Sequence, residues 1–439
     1  MGKKEIIKKV LVELSRFLLG ITFTFSGFVK AIDPYGFAYK IEDYIIAFNL
    51  EAFFFAALPA SILLCVLEFS VGVFMLLGIY RKWNSRMALL IMSFMTPLTL
   101  YLAIANPVSD CGCFGDAWII TNWETFFKNV VLLAAAITTV FLHQKIQNFY
   151  TGKFYWLIGL FTCTFSALFC IVNCYLEPVI DFRPYKVGAD LPKLINVEEG
   201  KEDVYENIFI YEKDGIKKEF SEDNYPWQDS TWVFVDRIDK LIKEGVKPVI
   251  TDFSIRKLHF NSEKSEIESN EDITSEVLEN ESYTFLMIAY SLSNMRENAI
   301  TKLEDVKNYA NDHNYNFYCL TSSTIDEIIE WENKNSIGFD FCLTDERTLK
   351  TMMRTNPGLM LLKNGVIINK WSPSKVLTEE KLTKPLEELS YSQTPDMQAR
   401  NNKIMGGLLF IFIIPLLIIK ILDYLIYRKR LPSNSNKSK

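Results

Sequence analysis

The sequence AFFFAALPASILLCVLEFSVGVFMLLGIY, at residues 52–80, decides the fold, because Glu68 is its only charged residue. A helix of about 20 apolar residues crosses the hydrocarbon core of a bilayer, so this stretch predicts a membrane span with length to spare for a tilt. Five further stretches are also apolar and long enough, at residues 10–32, 87–105, 125–142, 154–176 and 404–427. No small-residue cleavage site follows the first of them, so we expect it to be retained as a span. The sequence predicts a polytopic α-helical membrane protein.

The distribution of basic residues predicts how the spans are oriented. Lysine and arginine concentrate on the cytoplasmic side of membrane proteins. Here they flank alternate connections: Lys3, Lys4, Lys8 and Lys9 before the first span, Arg81, Lys82 and Arg86 after the second, Lys145 and Lys153 after the fourth, and Arg428, Lys429 and Arg430 after the sixth. Residues 106–124, in an opposite connection, contain neither Lys nor Arg. We therefore expect both termini to be cytoplasmic and residues 177–402 to be periplasmic. The net charge of −6 argues against a nucleic-acid partner.

The second half of this outer segment alternates strand and helix signals. Apolar runs predict strands at residues 283–290, 316–320, 339–343, 358–362 and 366–371, and helical periodicity predicts helices at residues 297–312, 324–333, 346–353 and 378–386. Asn364-Gly365 predicts a hairpin turn between the last two strands. This order indicates an α/β domain, a mixed sheet with helices on both faces. Residues 177–280 are polar and irregular, apart from an apolar run at 231–235 and an amphipathic stretch at 237–244, and the acidic, serine-rich residues 262–280 predict a loop.

A family resemblance covers residues 249–388. Residues 357–365, PGLMLLKNG, look like the cis-proline, strand and Asn-Gly turn of thioredoxins, and residues 252–255, DFSI, resemble the N-terminal hairpin of the TlpA and peroxiredoxin branch. The resemblance implies an external thioredoxin-like domain in which Pro357 stands beside a substrate groove. Thioredoxins carry a CxxC after the strand equivalent to 283–290, where this sequence reads SLSNMR at 291–296. We therefore expect a thioredoxin-like domain lacking CxxC, which argues against dithiol exchange by this domain.

A second resemblance covers residues 9–145. RFLLG at 16–20 with FSGFVK at 25–30 looks like the opening of DoxX-type membrane proteins, Glu68 with Leu77-Gly78 resembles their second helix, and DCGCFGD at 110–116 is similar to the loop of the methylamine-utilisation MauE branch. The combination resembles DoxX/MauE-like membrane proteins of the Bacteroidetes and implies a four-helix bundle in a bacterial inner membrane. In that family MauE is paired genetically with a thioredoxin-like partner, and both are implicated in disulfide formation in a periplasmic dehydrogenase subunit. One chain that holds both parts would fit this pairing.

The spans and the two resemblances predict seven segments along the chain. A DoxX/MauE-like four-helix transmembrane domain at 1–147 is followed by a fifth span at 148–176, a linker and extension at 177–247, the thioredoxin-like domain at 248–388, a linker at 389–403, a sixth span at 404–427 and a basic cytoplasmic tail at 428–439.

Cys111 and Cys113 are the first candidates for chemistry. They follow the third span on the side predicted to be oxidising, where disulfides persist, and Gly112 allows the backbone to bend so that the sulfurs approach. A CxC disulfide closes a very small ring, and strained bridges are more reducible and labile. The functional interpretation is a catalytic redox pair. The alternative is a static bridge, or two thiols in a tight turn made by Gly112 and Gly115.

Cys170 and Cys174 lie one helical turn apart on the fifth span, near the same membrane surface as Cys111 and Cys113. A relay between the two pairs would require the fifth span to pack beside the loop. The alternative, which the sequence favours, is that these are small apolar residues of a buried helix. Core thiols are also predicted at Cys65, Cys163, Cys319 and Cys342.

Glu68 lies near the middle of the second span, where a carboxylate is costly and usually has a partner or a function. Arg16, in the inner half of the first span, is the predicted partner, and Glu13 is placed to join the pair. The functional interpretation is a polar site for a quinone head group or a proton, and the alternative is an ion pair that fixes helix register. We find no metal-type framework and no dinucleotide or phosphate-binding motif.

Two functional hypotheses of different class follow. The first is a membrane-bound accessory factor or oxidoreductase for periplasmic thiol–disulfide exchange, in which Cys111 and Cys113 exchange electrons with an external protein thiol and the bundle passes them to a quinone. The second is a non-enzymatic membrane scaffold, whose thioredoxin-like domain without CxxC binds an extracytoplasmic protein. The lipid bilayer is a partner in both.

Overall fold

The computed structural model describes residues 2–428 except residues 109, 198–199, 244, 252 and 262–266. Outside the described residues lie the predicted basic tail from Lys429 onward and Asp252 of the predicted hairpin motif. The helices are α1 (Lys3–Ile32), α2 (Pro34–Ala47), α3 (Ala57–Leu77), α4 (Arg81–Ala105), α5 (Asn122–Leu142), α6 (Tyr155–Tyr175), α7 (Leu191–Ile195), α8 (Thr274–Glu279), α9 (Ile300–Asp312), α10 (Ile325–Asn335), α11 (Glu346–Met352) and α12 (Met397–Arg428).

Five of the described helices are long and apolar enough to cross a membrane, namely α3 with the 3-10 turn before it, α4, α5, α6 and α12. Helix α1 is 30 residues long and packs along α3, α5 and α6. It carries Glu13, Arg16 and Lys30, and it is not one of the five. Helices of spanning length are thus found at five of the six predicted positions, and the span at residues 10–32 stays a prediction.

Glycines bring α1 and α3 into backbone contact. A side chain at Gly27 of α1 would collide with the backbone of Phe69, and one at Gly72 of α3 would collide with the backbone of Thr24. Small residues at a helix interface allow this kind of close packing in membranes. As a consequence, the side chains of α3 next to Phe69, including Glu68, pack closely against α1.

Helix α2 covers the end of the bundle at which α1 finishes. The Asp33 side chain accepts a hydrogen bond from the Gly36 amide at 2.9 Å and Pro34 occupies the first helical turn, a combination that starts a helix. The Ser61 hydroxyl of α3 donates to the Pro34 carbonyl at 2.7 Å. We call this end, where α2 and residues 106–121 lie, the docking end of the bundle.

The C-terminal α/β domain is built on a seven-stranded mixed sheet. The strands are β1 (Val204–Lys213), β2 (Ile216–Ser221), β3 (Val233–Lys243), β4 (Arg256–Phe260), β5 (Ile267–Asp272), β6 (Tyr283–Ile288), β7 (Asn316–Thr321), β8 (Phe341–Leu343), β9 (Gly358–Lys363) and β10 (Val366–Trp371). The sheet order is β10-β9-β6-β7-β8-β4-β5, with β6, β7 and β8 parallel and the other pairs antiparallel. Apolar clusters cover both faces. The predicted mixed α/β sheet is therefore present.

Three predictions about this part of the chain were wrong. The predicted loop at 262–280 contains β5 and α8 in its described part, because a polar edge strand has no apolar alternation to reveal it. The predicted helix at 378–386 has only 3-10 turns at Glu379–Lys381 and Leu386–Glu388. The irregular region before the domain holds a separate three-stranded sheet of order β2-β1-β3, and the amphipathic stretch at 237–244 belongs to β3.

Candidate functional site

The loop between α4 and α5 holds the two sulfurs of Cys111 and Cys113 2.8 Å apart. Gly112 between them has a φ of +66°, a conformation that favours glycine. The Asp110 carboxylate accepts the Gly112 amide at 2.9 Å and also binds Lys40 of α2 at 2.7 Å. The two sulfurs are within about 1 Å of the length of a disulfide bond, so a small motion suffices to join or separate them.

A chain of polar side chains links this loop to the interior of the bundle. Ser26 Oγ of α1 lies 2.7 Å from the Cys113 carbonyl oxygen and 2.7 Å from Glu68 Oε2. Glu68 in turn binds Lys30 Nζ through both carboxylate oxygens, at 2.8 and 2.9 Å. A serine hydroxyl carries one proton and two lone pairs, so Ser26 donates to one of its two acceptors at a time. These hydrogen bonds therefore link the position of Cys113 to the Lys30–Glu68 ion pair.

The surroundings make Cys113 the more acidic thiol of the pair. The hydrogen bond from Cys111 lowers the pKa of Cys113 to about 6 against the effect of burial, and the positive charges of Lys128 and Lys30 also lower it. The same hydrogen bond, together with burial, holds the pKa of Cys111 well above its ordinary value. Because the thiolate is the reactive form of cysteine, Cys113 is the sulfur of the two that is better suited to nucleophilic attack at neutral pH. Cys113 is also half-buried, whereas Cys111 is buried.

The predicted pairing of Glu68 with Arg16 was wrong. Arg16 binds Glu13 at 2.9 Å and donates to the Gln147 carbonyl at 2.8 Å. Lys30 lies 14 residues further along α1, about 21 Å in a helix, and it is Lys30 that binds Glu68. The error came from judging depth along each span without knowing which residues of α1 and α3 face each other.

A quinone or proton site lined jointly by Glu68 and Arg16 is therefore not formed. Each of these two charged groups binds its own partners at a different level of the bundle, although the buried Nε of Arg16 has no hydrogen-bond partner among the described residues. The sequence did carry a signal for the observed network, because Ser26 and Lys30 are four residues apart on a helix and so share a face.

The other cysteines divide into two groups. Cys319 and Cys342 are fully buried on opposite faces of the large sheet, as predicted for core thiols. In the bundle, Cys170 and Cys65 are buried in the same apolar cluster and interact with each other, and Cys174 also lies near Cys170. Among the described residues, no hydrogen bond joins Cys170 or Cys174 to the Cys111 and Cys113 loop, so the predicted relay through these two residues stays a prediction.

The α/β domain docks on the bundle through the loop that precedes Pro357, whose bond to Asn356 is cis as predicted. The Arg354 guanidinium binds Asp33 at 2.7 to 3.0 Å and lies 3.9 Å from Asp116, which belongs to the same loop as the two cysteines. Burial alone would raise the pKa of Asp33, but Arg354 lowers it below its ordinary value. The ion pair thus couples the domain to the docking end.

Glu177, just after α6, binds the same loop from a second direction. Its Oε1 accepts the amide of Arg354 at 2.8 Å and both the amide and the hydroxyl of Thr355 at 3.0 Å. Its other carboxylate oxygen binds Arg183, a buried arginine that also binds Asp181. The amides of Arg354 and Thr355, three and two residues before Pro357, are therefore occupied by the chain itself.

A cleft of about 630 Å³ separates the bundle from the α/β domain at the docking end. The bundle contributes Lys30, Lys40 and Gly112 to its wall, and the α/β domain contributes Arg347 and Arg354. The Lys40 side chain covers Gly112, at 3.1 Å from the position that a Cβ would take. The cleft therefore leads from solvent to the backbone between the two cysteines.

The helices α1 to α5 and the loop with the two cysteines are similar to a known family of membrane proteins: residues 8–142 match the family model of the methylamine utilisation protein MauE. Residues 205–244, which include most of the small sheet, match a domain of unknown function, DUF8463. No curated protein sequence matches the chain. Among solved structures, the mitochondrial 2-Cys peroxiredoxin from Plasmodium falciparum matches at 15% identity and a TM-score of 0.21, over 36% of this chain and 91% of that one.

Proposed function

We propose that this protein carries out thiol–disulfide exchange with an external protein at the periplasmic face of a bacterial inner membrane, with Cys111 and Cys113 as its redox pair. The observation that carries the proposal is the geometry of the pair: two sulfurs 2.8 Å apart in a glycine turn, with the more acidic one next to cations. Labile or catalytic bridges have this combination of closeness and a stabilised thiolate. The MauE match of the surrounding helices supports the same assignment.

The reaction that the geometry supports runs in two exchanges. The Cys113 thiolate attacks a disulfide of the external protein, which forms a mixed disulfide and releases one thiolate of that protein. Cys111 then loses its proton and attacks the Cys113 sulfur, which releases the second thiolate and closes the Cys111–Cys113 bond. Two electrons pass to the external protein, whose two thiolates take up the one proton lost by Cys111 and one proton from water, and the reverse sequence oxidises a dithiol. Cys113 is the contacting sulfur in both directions.

The polar side chains of Ser26, Glu68 and Lys30 have a positioning role in this scheme. Ser26 holds the Cys113 carbonyl, and Lys30 places a positive charge near the Cys113 sulfur. Glu68 holds Lys30 in place with two hydrogen bonds. A buried cation without its carboxylate partner is unfavourable, so loss of Glu68 is expected to displace Lys30 as well.

We further propose that the α/β domain is thioredoxin-like and acts as a fixed cover for the docking end. The order of its parallel strands, the cis-proline before β9 and the Asn-Gly hairpin support this assignment. Glu177 occupies the amides of Arg354 and Thr355, close before Pro357. This occupation disfavours the alternative of a scaffold that binds a peptide on that face.

The test is differential alkylation in intact cells. Free thiols are blocked at harvest, disulfides are then reduced, and the released thiols are tagged and assigned by peptide mass spectrometry. We expect Cys111 and Cys113 to shift between the oxidised and reduced states with external reductant, and C111S to accumulate a mixed disulfide on Cys113. The C163S variant serves as a matched control, since Cys163 lies in α6 and hydrogen bonds only Ser70 among the described side chains. A pair that never changes state and never forms a mixed disulfide would refute the proposal.

A further inference from the structure

A second pair of thiols lies inside the bundle, close to the first. Cys65 of α3 and Cys170 of α6 are both fully buried, and their side chains interact directly. They share an apolar cluster with Ile32 at the end of α1 and Phe169 of α6. Their positions in the sequence are 105 residues apart, so nothing in the local sequence pairs them.

The Lys30–Glu68 ion pair lies between this second pair and Cys113. The positive charge of Lys30 acts on the sulfurs of both Cys65 and Cys113. Cys65 and Glu68 are three residues apart on α3, which places their Cβ atoms about 5–6 Å from each other. Glu68 and the Cys113 carbonyl each lie 2.7 Å from the same Ser26 hydroxyl. Cys65 is therefore the cysteine of the second pair that stands nearer to the loop.

We infer that Cys65 and Cys170 form a second redox pair, which accepts two electrons from the reduced Cys111 and Cys113 pair. This inference rests on the proposed function of the loop pair. Its substrate is the loop dithiol of the same chain, and Lys30 serves both pairs by stabilising whichever thiolate is present beside it. In this pairing the partner of Cys170 is Cys65, whereas the sequence suggested Cys174 as its partner.

The exchange balances without any further reagent. The Cys113 thiolate attacks Cys65 of a Cys65–Cys170 disulfide and forms a Cys113–Cys65 bond, while Cys170 leaves as a thiolate and takes up a proton. Cys111 then loses its proton and attacks Cys113, so that Cys65 leaves and takes up the second proton. The loop pair is oxidised and the inner pair is reduced by two electrons. For the sulfurs of Cys113 and Cys65 to meet, Cys113 has to move from its position beside Ser26 toward Cys65.

Two paired variants test this path in the full-length protein in membranes. C111S/C170S retains Cys113 and Cys65, and after treatment of both variants with the same mild oxidant, diamide, we expect it to accumulate a Cys113–Cys65 disulfide that peptide mapping detects without reduction. C111S/C65S retains Cys113 and Cys170. We expect at least tenfold less cross-link in this variant, because Cys170 lies farther from Cys113 than Cys65 does. Equal cross-linking in the two variants, or none in C111S/C170S, overturns the inference.

A measurement in cells separates this inference from the proposed function. In C65S/C170S we expect the loop pair to accumulate in the reduced state, whereas in the control C163S it keeps the wild-type ratio. A loop pair that still cycles normally in C65S/C170S overturns the inner pair and leaves the proposed function intact. A loop pair that never cycles in the wild type overturns both.

Discussion

Substitution of Cys111 by alanine tests what makes Cys113 reactive. The change removes the hydrogen bond that contributes most to the lowered pKa of Cys113. In the reduced protein we expect this pKa to rise from about 6 toward the ordinary value of 9.0. The C111S variant keeps an O–H donor at the same place, and we expect its Cys113 to remain closer to the wild type.

The size of the effect depends on pH, because two consequences of a raised pKa oppose each other. If the pKa rises fully, the thiolate fraction at pH 5 falls from about 10% to about 0.01%. A thiolate of higher pKa is also more nucleophilic, by about 20-fold here for a Brønsted coefficient near 0.45. Alkylation of Cys113 in C111A should then be about 40-fold slower at pH 5, about 4-fold slower at pH 7 and about 2-fold faster at pH 8.

The assay is the rate of iodoacetamide modification of the Cys113 peptide, followed by mass spectrometry between pH 4.5 and 9 on the reduced protein in detergent. The wild-type and C111A profiles should cross between pH 7 and 8, and the C111S profile should lie between them. Peptide resolution keeps the other cysteines of the chain out of the measurement. If C111A titrates at the same midpoint as the wild type, the hydrogen bond is not what makes Cys113 acidic.

Three further predictions concern Lys30 near Cys113, Arg354 at the contact between the α/β domain and the bundle, and Gly72 at the contact between α1 and α3. Lys30→Gln should raise the pKa of Cys113 because it removes a cation, whereas Lys30→Arg should raise it less; equal alkylation profiles for the two variants would contradict this. Arg354→Ala should cost about 3 kcal/mol of unfolding free energy in thermal melts at neutral pH, because it leaves a buried carboxylate unpaired. Since Arg354 lowers the pKa of Asp33, that difference should shrink as acid protonates this carboxylate, and a pH-independent difference would refute it. Gly72→Ala should lower stability by about 1–3 kcal/mol through overpacking, while Gly406→Ala, which meets no atom within 4 Å, should not.

The sequence was sufficient where a structural element depends on local composition. The apolar runs gave the positions of α3 to α6 and α12, since length and hydrophobicity alone define a span. The left-handed turn at Asn364 and Gly365 also follows from residue type, whereas the cis peptide before Pro357 was predicted from the resemblance to thioredoxins. By contrast, β5 lies in a stretch of mostly charged and polar residues at a sheet edge, and its strand state depends on pairing with β4.

The site was predicted only in part, because its second half depends on contacts between distant helices. Cys111 and Cys113 were found because they adjoin in the sequence. The pairing of Lys30 with Glu68 depends on the close approach of α1 and α3 at Gly27, and no pattern within either helix gives that register. The Cys65–Cys170 contact depends on how α3 packs against α6 and was missed for the same reason.

The structure separates the groups that set the acidity of Cys113 from the groups that line the way to it. The residues that set the pKa of Cys113, which are Cys111, Lys128 and Lys30, all belong to the helical part of the chain. The cleft that leads to Gly112, however, has walls from both parts, and Arg354 of the α/β domain binds Asp33 immediately after α1. A change in how the domain docks should therefore alter which molecules reach Cys113 while leaving its acidity unchanged. On this reasoning, the contribution of the α/β domain to the proposed exchange is to select which molecules enter the cleft and reach Cys113.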